Sequence, residues 1–269
     1  MKALVTSKEI GGITSYLTRR GVKMFTTRQF LKLISTHFEI HSMNYLNHLL
    51  CLLLMATGSI YDFYLHGDGY KSKQGWKRII FRWILRTSKS INCVNEKIAS
   101  DITAIYNVAT VSFNPFLPPI NTDINYPASL IGYIKYHAPI LMVSTSKNIK
   151  INDIDLYGLD ICEKLFVKLK EIFPDIGFIH ATTDNVISDN LYVLSGYDIT
   201  GLFRYIDLFI RPTYQDGYGI SVDEAIYFDK PALASDCCKR HPRAIIFKNR
   251  DFNDLFIKTF KILTYKQTS

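Results

Sequence analysis

The sequence predicts an α/β protein built on parallel sheets, and the segment 205–247 carries the observations that indicate this class. The apolar run 206–210 is typical of a buried strand, which Pro212 ends because proline has no N–H to donate to a central ladder. A helical pattern begins at Ser221, and the run 231–234 predicts the next buried strand. A strand, a loop, a helix and a strand in this order are typical of a parallel sheet.

The loop in this segment has the composition of a ligand-binding loop. Gly217 and Gly219 flank Tyr218, and glycine permits a backbone to approach a ligand closely. In parallel sheets, ligands bind at the carboxyl ends of the strands and against helix N-termini, whose free N–H groups favour anions. The charged residues expected at this edge are Arg211, Asp216 and Glu224.

This segment resembles the retaining GT-B glycosyltransferases of the family-4 type. That family carries an acidic residue, a Gly-aromatic-Gly loop, a glutamate eight positions after the acid, and a P-x-x-A-S strand. The matching residues are Asp216, Gly217, Tyr218, Gly219, Glu224 and the segment 231–235. The first acid is aspartate rather than the commoner glutamate, which keeps the charge and shortens the reach. The tract 210–213 is similar to that of bacterial polysaccharide-assembly members.

The resemblance implies the GT-B fold, with two facing Rossmann-like domains that each contain a parallel sheet. We expect an acceptor-side domain at 1–122, short for the family, and a domain that binds the nucleotide-sugar donor at 123–269. The segment 116–122 is interpreted as the linker, because two prolines and small polar residues break its periodicity. Hydrophobic periodicity elsewhere predicts helices at 27–36, 43–56, 159–173 and 252–263.

The resemblance also implies roles for the residues of the loop. Glu224 would hydrogen-bond the ribose of the donor, and Asp216 would contact the transferred sugar as a catalytic residue. The other donor-binding residues expected are Gly217, Tyr218, Gly219, Arg211 and Lys147. Where the family has a Lys-Gly pair that clamps the donor diphosphate, this chain has Tyr157 and Gly158, so Lys147 or Arg211 is expected to supply the missing charge.

Two local interpretations compete with these roles. Ser221 and Glu224 also have the spacing of a capping box, in which two side chains satisfy the first N–H groups of a helix. We favour ligand binding, because a capping box requires neither Asp216 nor the loop glycines. Arg240 is a further candidate for binding phosphate, and the alternative for it is a solvated surface charge.

The N-terminal half supplies two more features of the resemblance. Family members often place a Gly-Gly pair after the first strand, close to the donor phosphate and the acceptor, and Gly11 and Gly12 match it. They also often place a histidine at the end of an N-domain strand, facing the cleft. His66 matches that position and is expected to be catalytic. An ordinary turn and a structural histidine are the respective alternatives.

The segment 71–89 combines seven basic residues with apolar and aromatic ones and contains no acid. At helical spacing this composition suits the surface of an anionic membrane. The alternative is an ordinary helix whose apolar stripe packs on the sheet, and both interpretations can hold together. The net charge of +8 also indicates an anionic partner. No recognised nucleic-acid module is present, so we expect no nucleic-acid partner.

The remaining composition bears on the compartment. Five cysteines without metal or disulfide-framework spacing suit a reducing cytosol. The N-terminus lacks a secretory signal, and the most apolar run, 49–56, is shorter than the ~20 residues of a membrane span. We expect a cytoplasmic protein with peripheral contact at the inner face of the membrane through 71–89.

Together these features predict a glycosyltransferase of the hexosyltransferase type. It would move a sugar from a nucleotide-sugar donor to a growing polysaccharide or oligosaccharide, plausibly lipid-linked. No metal site and no cofactor beyond the donor is expected, because no carboxylate pair has metal-binding spacing. The alternative is a catalytically inactive GT-B-like protein that binds nucleotide-sugar or glycan, which the missing Lys-Gly pair and the short N-terminal domain favour.

Overall fold

The computed structural model describes residues 1–5, 12–41, 45–120, 122–146, 149–184 and 191–267. The chain forms two compact units, Met1–Leu117 and Pro118–Ser269. The boundary that the sequence predicts, between residues 122 and 123, lies a few residues C-terminal to the boundary between these two units. Both units are of the predicted α/β class.

The first unit contains a sheet of six parallel strands in its described residues. In chain order they are β1 (Lys2–Val5), β2 (Lys23–Thr26), β3 (His37–Ile40), β4 (Ile60–Leu65), β5 (Ser90–Cys93) and β6 (Val111–Ser112). Their order in the sheet is β2-β1-β3-β4-β5-β6. After β1 the chain forms β2 on one side of it, and then β3 to β6 on its other side. The gap between β1 and β3 is therefore a topological switch point, where open α/β sheets bind ligands.

Helices connect the strands of the first unit. They are α1 (Gly12–Arg19), α2 (Tyr45–Met55), α3 (Gly75–Thr87) and α4 (Glu96–Tyr106), with 3-10 helices at Thr27–Leu33 and Asp68–Tyr70. The Asn95 side chain accepts a hydrogen bond from the Ile98 N–H and begins α4, and Asn107 ends it in the left-handed conformation. The helix predicted at 27–36 is present as the shorter 3-10 helix Thr27–Leu33.

The second unit repeats the design with a six-stranded parallel sheet. Its strands in chain order are β7 (Ile140–Ser144), β10 (Gly177–Thr182), β11 (Tyr192–Ser195), β12 (Leu208–Arg211), β13 (Ala232–Ser235) and β14 (Ile245–Phe247). A separate antiparallel pair comprises β8 (Lys150–Ile151) and β9 (Ile154–Asp155). The order in the main sheet is β11-β10-β7-β12-β13-β14, which places the switch point between β7 and β12.

Helices cover both faces of the second sheet. They are α5 (Ala128–Tyr136), α6 (Leu159–Lys170), α7 (Ile220–Tyr227) and α8 (Phe252–Gln267). Alternate residues of β7 enter different cores: Leu141 packs with the cluster that includes residues of α6 and α8, and Met142 with the cluster that includes α7. A strand buried on both faces has a continuous apolar run rather than an alternating one, which is why β7 and β12 could be recognised in the sequence.

Helix α3 presents apolar side chains in two directions. Phe81, Ile84 and Leu85 are buried, as the packing interpretation expects. Trp76 and Trp83 are 54% and 62% exposed. The apolar content of this helix is therefore larger than its contact with the sheet requires. No helix in the described part of the chain combines the length and apolar character that a membrane crossing requires.

Gly158 ties α6 to the end of β12. Its φ of +70° is in the left-handed region, and a Cβ built on it would overlap the carbonyl oxygen of Pro212. Gly196, in the same unit, has a φ of +77° with open space around it. The two glycines therefore have the same backbone constraint, but only Gly158 has the close approach.

We expect Gly158→Ala to destabilise the protein more than Gly196→Ala. The control substitution should cost roughly 1–2 kcal/mol, the penalty of a left-handed residue with a Cβ. Gly158→Ala adds a clash with backbone atoms, which cannot move aside as a flexible side chain can. Urea unfolding of both variants measures the difference. Equal losses would show that the loop relaxes and that the contact with Pro212 constrains nothing.

Candidate functional site

Arg211 spans the switch point of the second sheet. It ends β12, and its Nη1 donates a hydrogen bond of 3.1 Å to the carbonyl oxygen of Ser144, the last residue of β7. Its Nε donates to Oδ2 of Asp216 at 3.0 Å, and its guanidinium lies 5.6 Å from the centre of the Tyr157 ring. Nη2 makes no hydrogen bond within the described residues. Arg211 thus joins two strand ends to the loop and keeps one donor group available.

Asp216 lies between two arginines. Its Oδ2 accepts hydrogen bonds of 3.0 Å from Arg211 Nε and 3.0 Å from Arg240 Nη1, and one of 3.3 Å from Thr213 Oγ1. Burial raises the pKa of this carboxyl, but the attraction of both guanidiniums outweighs it and holds the pKa of Asp216 well below its usual range. The side chain is therefore a carboxylate at every physiological pH.

The second oxygen of Asp216 has a different environment. Oδ1 makes no hydrogen bond with the described residues, and the side chain is 14% exposed. One oxygen anchors the residue and the other can accept a hydrogen bond from a ligand. This geometry fits a carboxylate that contacts a hydroxyl group, while the arginines keep it ionised.

Arg240 is the central donor of the loop network. It is buried, and its Nε donates to the Ser235 carbonyl at 3.2 Å. The remaining acceptors are Asp216 Oδ2, the Tyr218 carbonyl at 2.8 Å, Thr213 Oγ1 at 2.9 Å and Cys237 Sγ at 3.3 Å. A guanidinium has five N–H donors, and these contacts occupy all of them. Arg240 is therefore not the solvated surface charge of the alternative interpretation: it is buried, and its donors hold the loop.

Gly219 is required where the loop enters α7. Its φ is +83°, and a Cβ would collide with Arg240 Nη1 and lie 3.0 Å from Asp216 Oδ2. Gly219 is the N-cap residue and provides no side-chain cap, so Ser221 already lies within the first turn of the helix. The capping-box interpretation of Ser221 and Glu224 is therefore wrong. Gly217 and Tyr218 lie in the same loop.

Two neighbouring acids lie on α7. Glu224 is buried in the second turn of the helix, on the element that follows the loop directly. Asp223 is also buried. Burial raises the pKa of Asp223 by more than hydrogen bonding with the Tyr218 side chain and the charge of Arg240 lower it, which favours its neutral form. The two acids therefore provide a matched pair for substitution.

The place of the missing Lys-Gly pair is occupied by a different arrangement. The Asp155 carboxylate accepts hydrogen bonds from the backbone N–H groups of residues 157–160, at 2.8–3.4 Å. The N-terminus of α6 is thus satisfied by the chain itself. Lys147 lies outside the described residues. Of the two cations expected to replace the lysine, Arg211 is the one that the structure shows at the strand ends.

The predicted residues of the first unit form a separate group. His66 follows β4, and its Nε2 lies 2.8 Å from Nδ1 of His41. Gly12 begins α1, whereas Gly11 lies outside the described residues. His41 and Glu39, which bonds to it, were missed in the sequence. A glutamate inside an otherwise apolar strand, two positions before a histidine on the same face, was the available signal.

Two adjacent cysteines complete the network of the second unit. Cys237 Sγ lies 3.4 Å from Ser235 Oγ and 3.7 Å from Thr213 Oγ1, in addition to its contact with Arg240. Hydrogen bonding from Cys238 and the charge of Arg240 together overcome burial and lower the pKa of the Cys237 thiol to about 6. Cys238 donates to the Tyr218 carbonyl, and its pKa is raised by its neighbour and by burial.

Comparisons with known proteins support the fold. No family model matches the sequence, and no curated protein matches it. Among solved structures, a sucrose-phosphate synthase from Thermosynechococcus elongatus is 12% identical with a TM-score of 0.70, over 98% of this chain and 89% of that chain. A variant of TarM from S. aureus in complex with Fondaparinux, alpha-GlcNAc-glycerol and UDP is 11% identical with a TM-score of 0.65, over 88% of this chain and 51% of that chain.

A trehalose-6-phosphate protein from E. coli bound with UDP-2-fluoro glucose is 13% identical with a TM-score of 0.61, over 88% of this chain and 68% of that chain. This chain covers about half the length of TarM. These structures have the GT-B fold, and so does this chain. The fold class expected from the sequence is confirmed.

We expect Cys237 to be the most reactive cysteine of the folded protein, because only the thiolate is nucleophilic. Iodoacetamide should label it at pH 7 well before Cys238, with a rate that rises as pH increases through about 6. Cys51, Cys93 and Cys162 are buried, and burial raises their pKa, so they should react after unfolding. Peptide mass spectrometry measures each site.

The matched variants are Cys237→Ser and Cys238→Ser. The first should remove the fast phase of labelling, whereas the second retains a hydroxyl donor beside Cys237 and should keep it. Fast labelling of Cys238, or a rate at Cys237 that rises only near pH 9, would show that the contacts with Arg240 and Cys238 do not stabilise the thiolate.

Proposed function

We propose that this chain is a retaining glycosyltransferase of the hexosyltransferase type that takes its sugar from a nucleotide-sugar donor. The observation that carries the proposal is the Asp216 carboxylate, held by Arg211 and Arg240 at the switch point of a GT-B fold with one oxygen available. This arrangement occurs within the Asp-Gly-Tyr-Gly and Glu spacing of the family-4 resemblance. No cofactor is proposed beyond the donor itself.

The proposed roles follow from charge and position. Transfer requires a diphosphate leaving group to be held, its charge stabilised, and an acceptor hydroxyl placed beside the sugar. Arg211 supplies a positive charge and the available Nη2 group, which suit the diphosphate. Asp216 Oδ1 would accept a hydrogen bond from the transferred sugar, and Glu224 would contact the ribose. Lys147 is proposed as a second cation for the diphosphate, and Gly11 and Gly12 as its phosphate loop.

The donor site is tested by pairing nucleotide binding with turnover. Glu224→Gln should weaken the binding of a free nucleoside diphosphate by about 10- to 150-fold, because a charge-assisted hydrogen bond contributes roughly 1.5–3 kcal/mol. Asp216→Asn should abolish most transfer but leave this binding nearly intact, because the amide oxygen can still accept the hydrogen bonds of Arg211 and Arg240 and a free nucleoside diphosphate lacks the transferred sugar that would contact Oδ1. Calorimetry with uridine, guanosine and adenosine diphosphates, and donor hydrolysis with their sugars, measure the two effects.

Asp223→Asn is the control for the loss of a carboxylate from α7. Asp223 is buried beside Glu224, and burial raises its pKa toward the neutral form, so the uncharged amide should leave binding and turnover unchanged. Equal loss of nucleotide binding in all three variants would reject the assigned roles. Nucleotide-sugar binding without any hydrolysis or transfer would support the inactive binding protein instead.

We propose further that α3 docks on an anionic membrane, where the acceptor is a lipid-linked glycan. Trp76, Ile79 and Trp83 are exposed on a helix whose other apolar residues already pack against the first unit. The exposed basic residues of this helix are Lys77, Arg78, Arg82 and Arg86. Exposed tryptophans among basic residues suit the interface between headgroups and acyl chains. The docking would keep the protein at the inner face of the membrane.

Changing Lys77, Arg78, Arg82 and Arg86 to Gln should weaken binding to vesicles that contain phosphatidylglycerol. Each basic residue near an anionic surface contributes about 1 kcal/mol, so the affinity should fall by at least about 100-fold. Raising the salt concentration should weaken the unchanged protein in the same direction. Vesicle sedimentation measures both effects.

The matched control changes Lys135, Lys164, Lys170 and Lys261 to Gln. These four lysines are exposed on helices of the second unit, so the control removes the same net charge from a different place. It should retain vesicle binding to within a few-fold. If both sets of changes weaken binding equally, the attraction is a property of net charge and α3 is not the docking helix.

A further inference from the structure

A chain of charged and polar side chains runs through the first unit to His66. Arg20 donates hydrogen bonds of 2.8 Å from Nη1 and Nη2 to the two carboxylate oxygens of Glu39. Oε2 of Glu39 lies 2.9 Å from Nε2 of His41, and Nδ1 of His41 lies 2.8 Å from Nε2 of His66. Glu39 and His41 are buried, and Arg20 is partly exposed. This Glu39–His41–His66 relay is continuous at hydrogen-bond distance.

The relay determines where the protons lie. Burial raises the pKa of Glu39, but hydrogen bonds from His41 and Arg20 outweigh it and lower that pKa, so Glu39 is an acceptor only. Nε2 of His41 must therefore carry the proton. Burial lowers the pKa of His41, so the ring is neutral and its Nδ1 is an acceptor. His66 must then donate from Nε2, which leaves its Nδ1 with a lone pair.

Aromatic rings hold both imidazoles in place. The Tyr64 ring stacks on His41 with centroids 4.4 Å apart and an interplanar angle of 12°. Phe113 meets His66 edge-on at 6.0 Å, and Tyr16 lies 6.1–6.2 Å from both histidines. Rings locked by packing cannot turn to exchange donor and acceptor atoms.

The end of the relay lies where the first sheet would bind a ligand. His41 and His66 directly follow β3 and β4, at the carboxyl ends of these strands and beside the switch point between β1 and β3. His66 Nδ1 makes no hydrogen bond with the described residues, and it is not among their buried unpaired atoms. A fixed acceptor therefore ends at the ligand-binding edge of the sheet.

We propose that Glu39 and His41 are positioning residues that fix His66 as a hydrogen-bond acceptor at Nδ1 for an uncharged hydroxyl of the substrate. The choice of ligand follows from the lone pair: a hydroxyl can donate to it, whereas a phosphate or carboxylate would be repelled. The identity of the substrate as a sugar rests on the proposed function. The positioning itself does not.

The surroundings maintain this state over a wide pH range. Burial and the neighbouring His41 lower the pKa of His66 to about 3. The titratable and charged groups that face the relay are Tyr16, Arg20, Glu39 and Tyr64. The Arg20 guanidinium contacts the rings of Tyr16 and Tyr64 as well as the carboxylate of Glu39. His66 therefore stays neutral, and an acceptor, from pH 5 to pH 8.

Histidine NMR tests the positioning without any substrate. In the full chain labelled with ¹⁵N-histidine, His66 should show a proton on Nε2, a bare Nδ1, and no titration between pH 5 and pH 8. His41→Phe keeps the ring on Tyr64 and removes both nitrogens. In this variant Nε2 of His66 loses its acceptor, so its single tautomer should be lost, whereas burial, the larger cause of its low pKa, remains.

His37→Phe is the matched control, because His37 lies on the same strand but pairs with Asp62 at the exposed side. It should leave the His66 signals unchanged. A bare Nε2 on His66 in the unchanged protein, or the same single tautomer with and without His41, would overturn the proposal. The wild-type spectrum alone decides this if His41→Phe fails to fold.

Activity separates this inference from the proposed function. Without His41 part of the His66 population carries its proton on Nδ1 and has no lone pair there, so transfer by His41→Phe should fall below that of the wild type and of His37→Phe. A wild-type spectrum as predicted, with no turnover of any nucleotide sugar, would retain the positioning role and reject the glycosyltransferase. Turnover of a nucleotide sugar by a wild type whose His66 carries its proton on Nδ1 would retain the glycosyltransferase and reject the positioning role.

Discussion

The buried guanidinium of Arg240 is the constraint on which the candidate site of the second unit depends. A buried charge is costly unless it is paired and its donors are satisfied. Arg240 meets that requirement with Asp216, the Tyr218 carbonyl and the polar groups that follow β12 and β13. The loop must bring these acceptors to one point, which explains why Gly219 has no room for a Cβ. The conformation that presents Asp216 Oδ1 is thus fixed by the burial of a cation.

The fold of the second unit followed from local pattern because its central strands β7, β12 and β13 are buried on both faces. The apolar runs at 206–210 and 231–234 correspond to β12 and β13, with ends shifted by one or two residues. Local pattern failed where one sequence spacing is compatible with two different local structures. Ser221 and Glu224 have capping-box spacing, but the positive φ of Gly219 makes glycine the cap. Periodicity likewise predicted α3 without showing that Trp76 and Trp83 remain exposed.

The site was predictable in its members but not in its connections. Asp216, Arg211 and Glu224 lie within one short segment, so a resemblance could locate them. The partners of Arg240 come from the loop after β12 and from the end of β13, and Arg20 reaches Glu39 from the end of a helix. Such pairings depend on how the strands are ordered in the sheet, which no spacing along the chain contains. A solvated Arg240 was therefore the natural expectation, and the sheet order overturned it.

Both units use a buried acid that is paired with arginine beside a switch point, yet they present different chemistry. In the second unit two arginines surround one carboxylate, so the site retains a net positive charge that suits an anionic diphosphate. In the first unit Arg20 and Glu39 balance each other, and the group that extends to the edge is a neutral imidazole. The first edge therefore favours an uncharged hydroxyl and the second an anion.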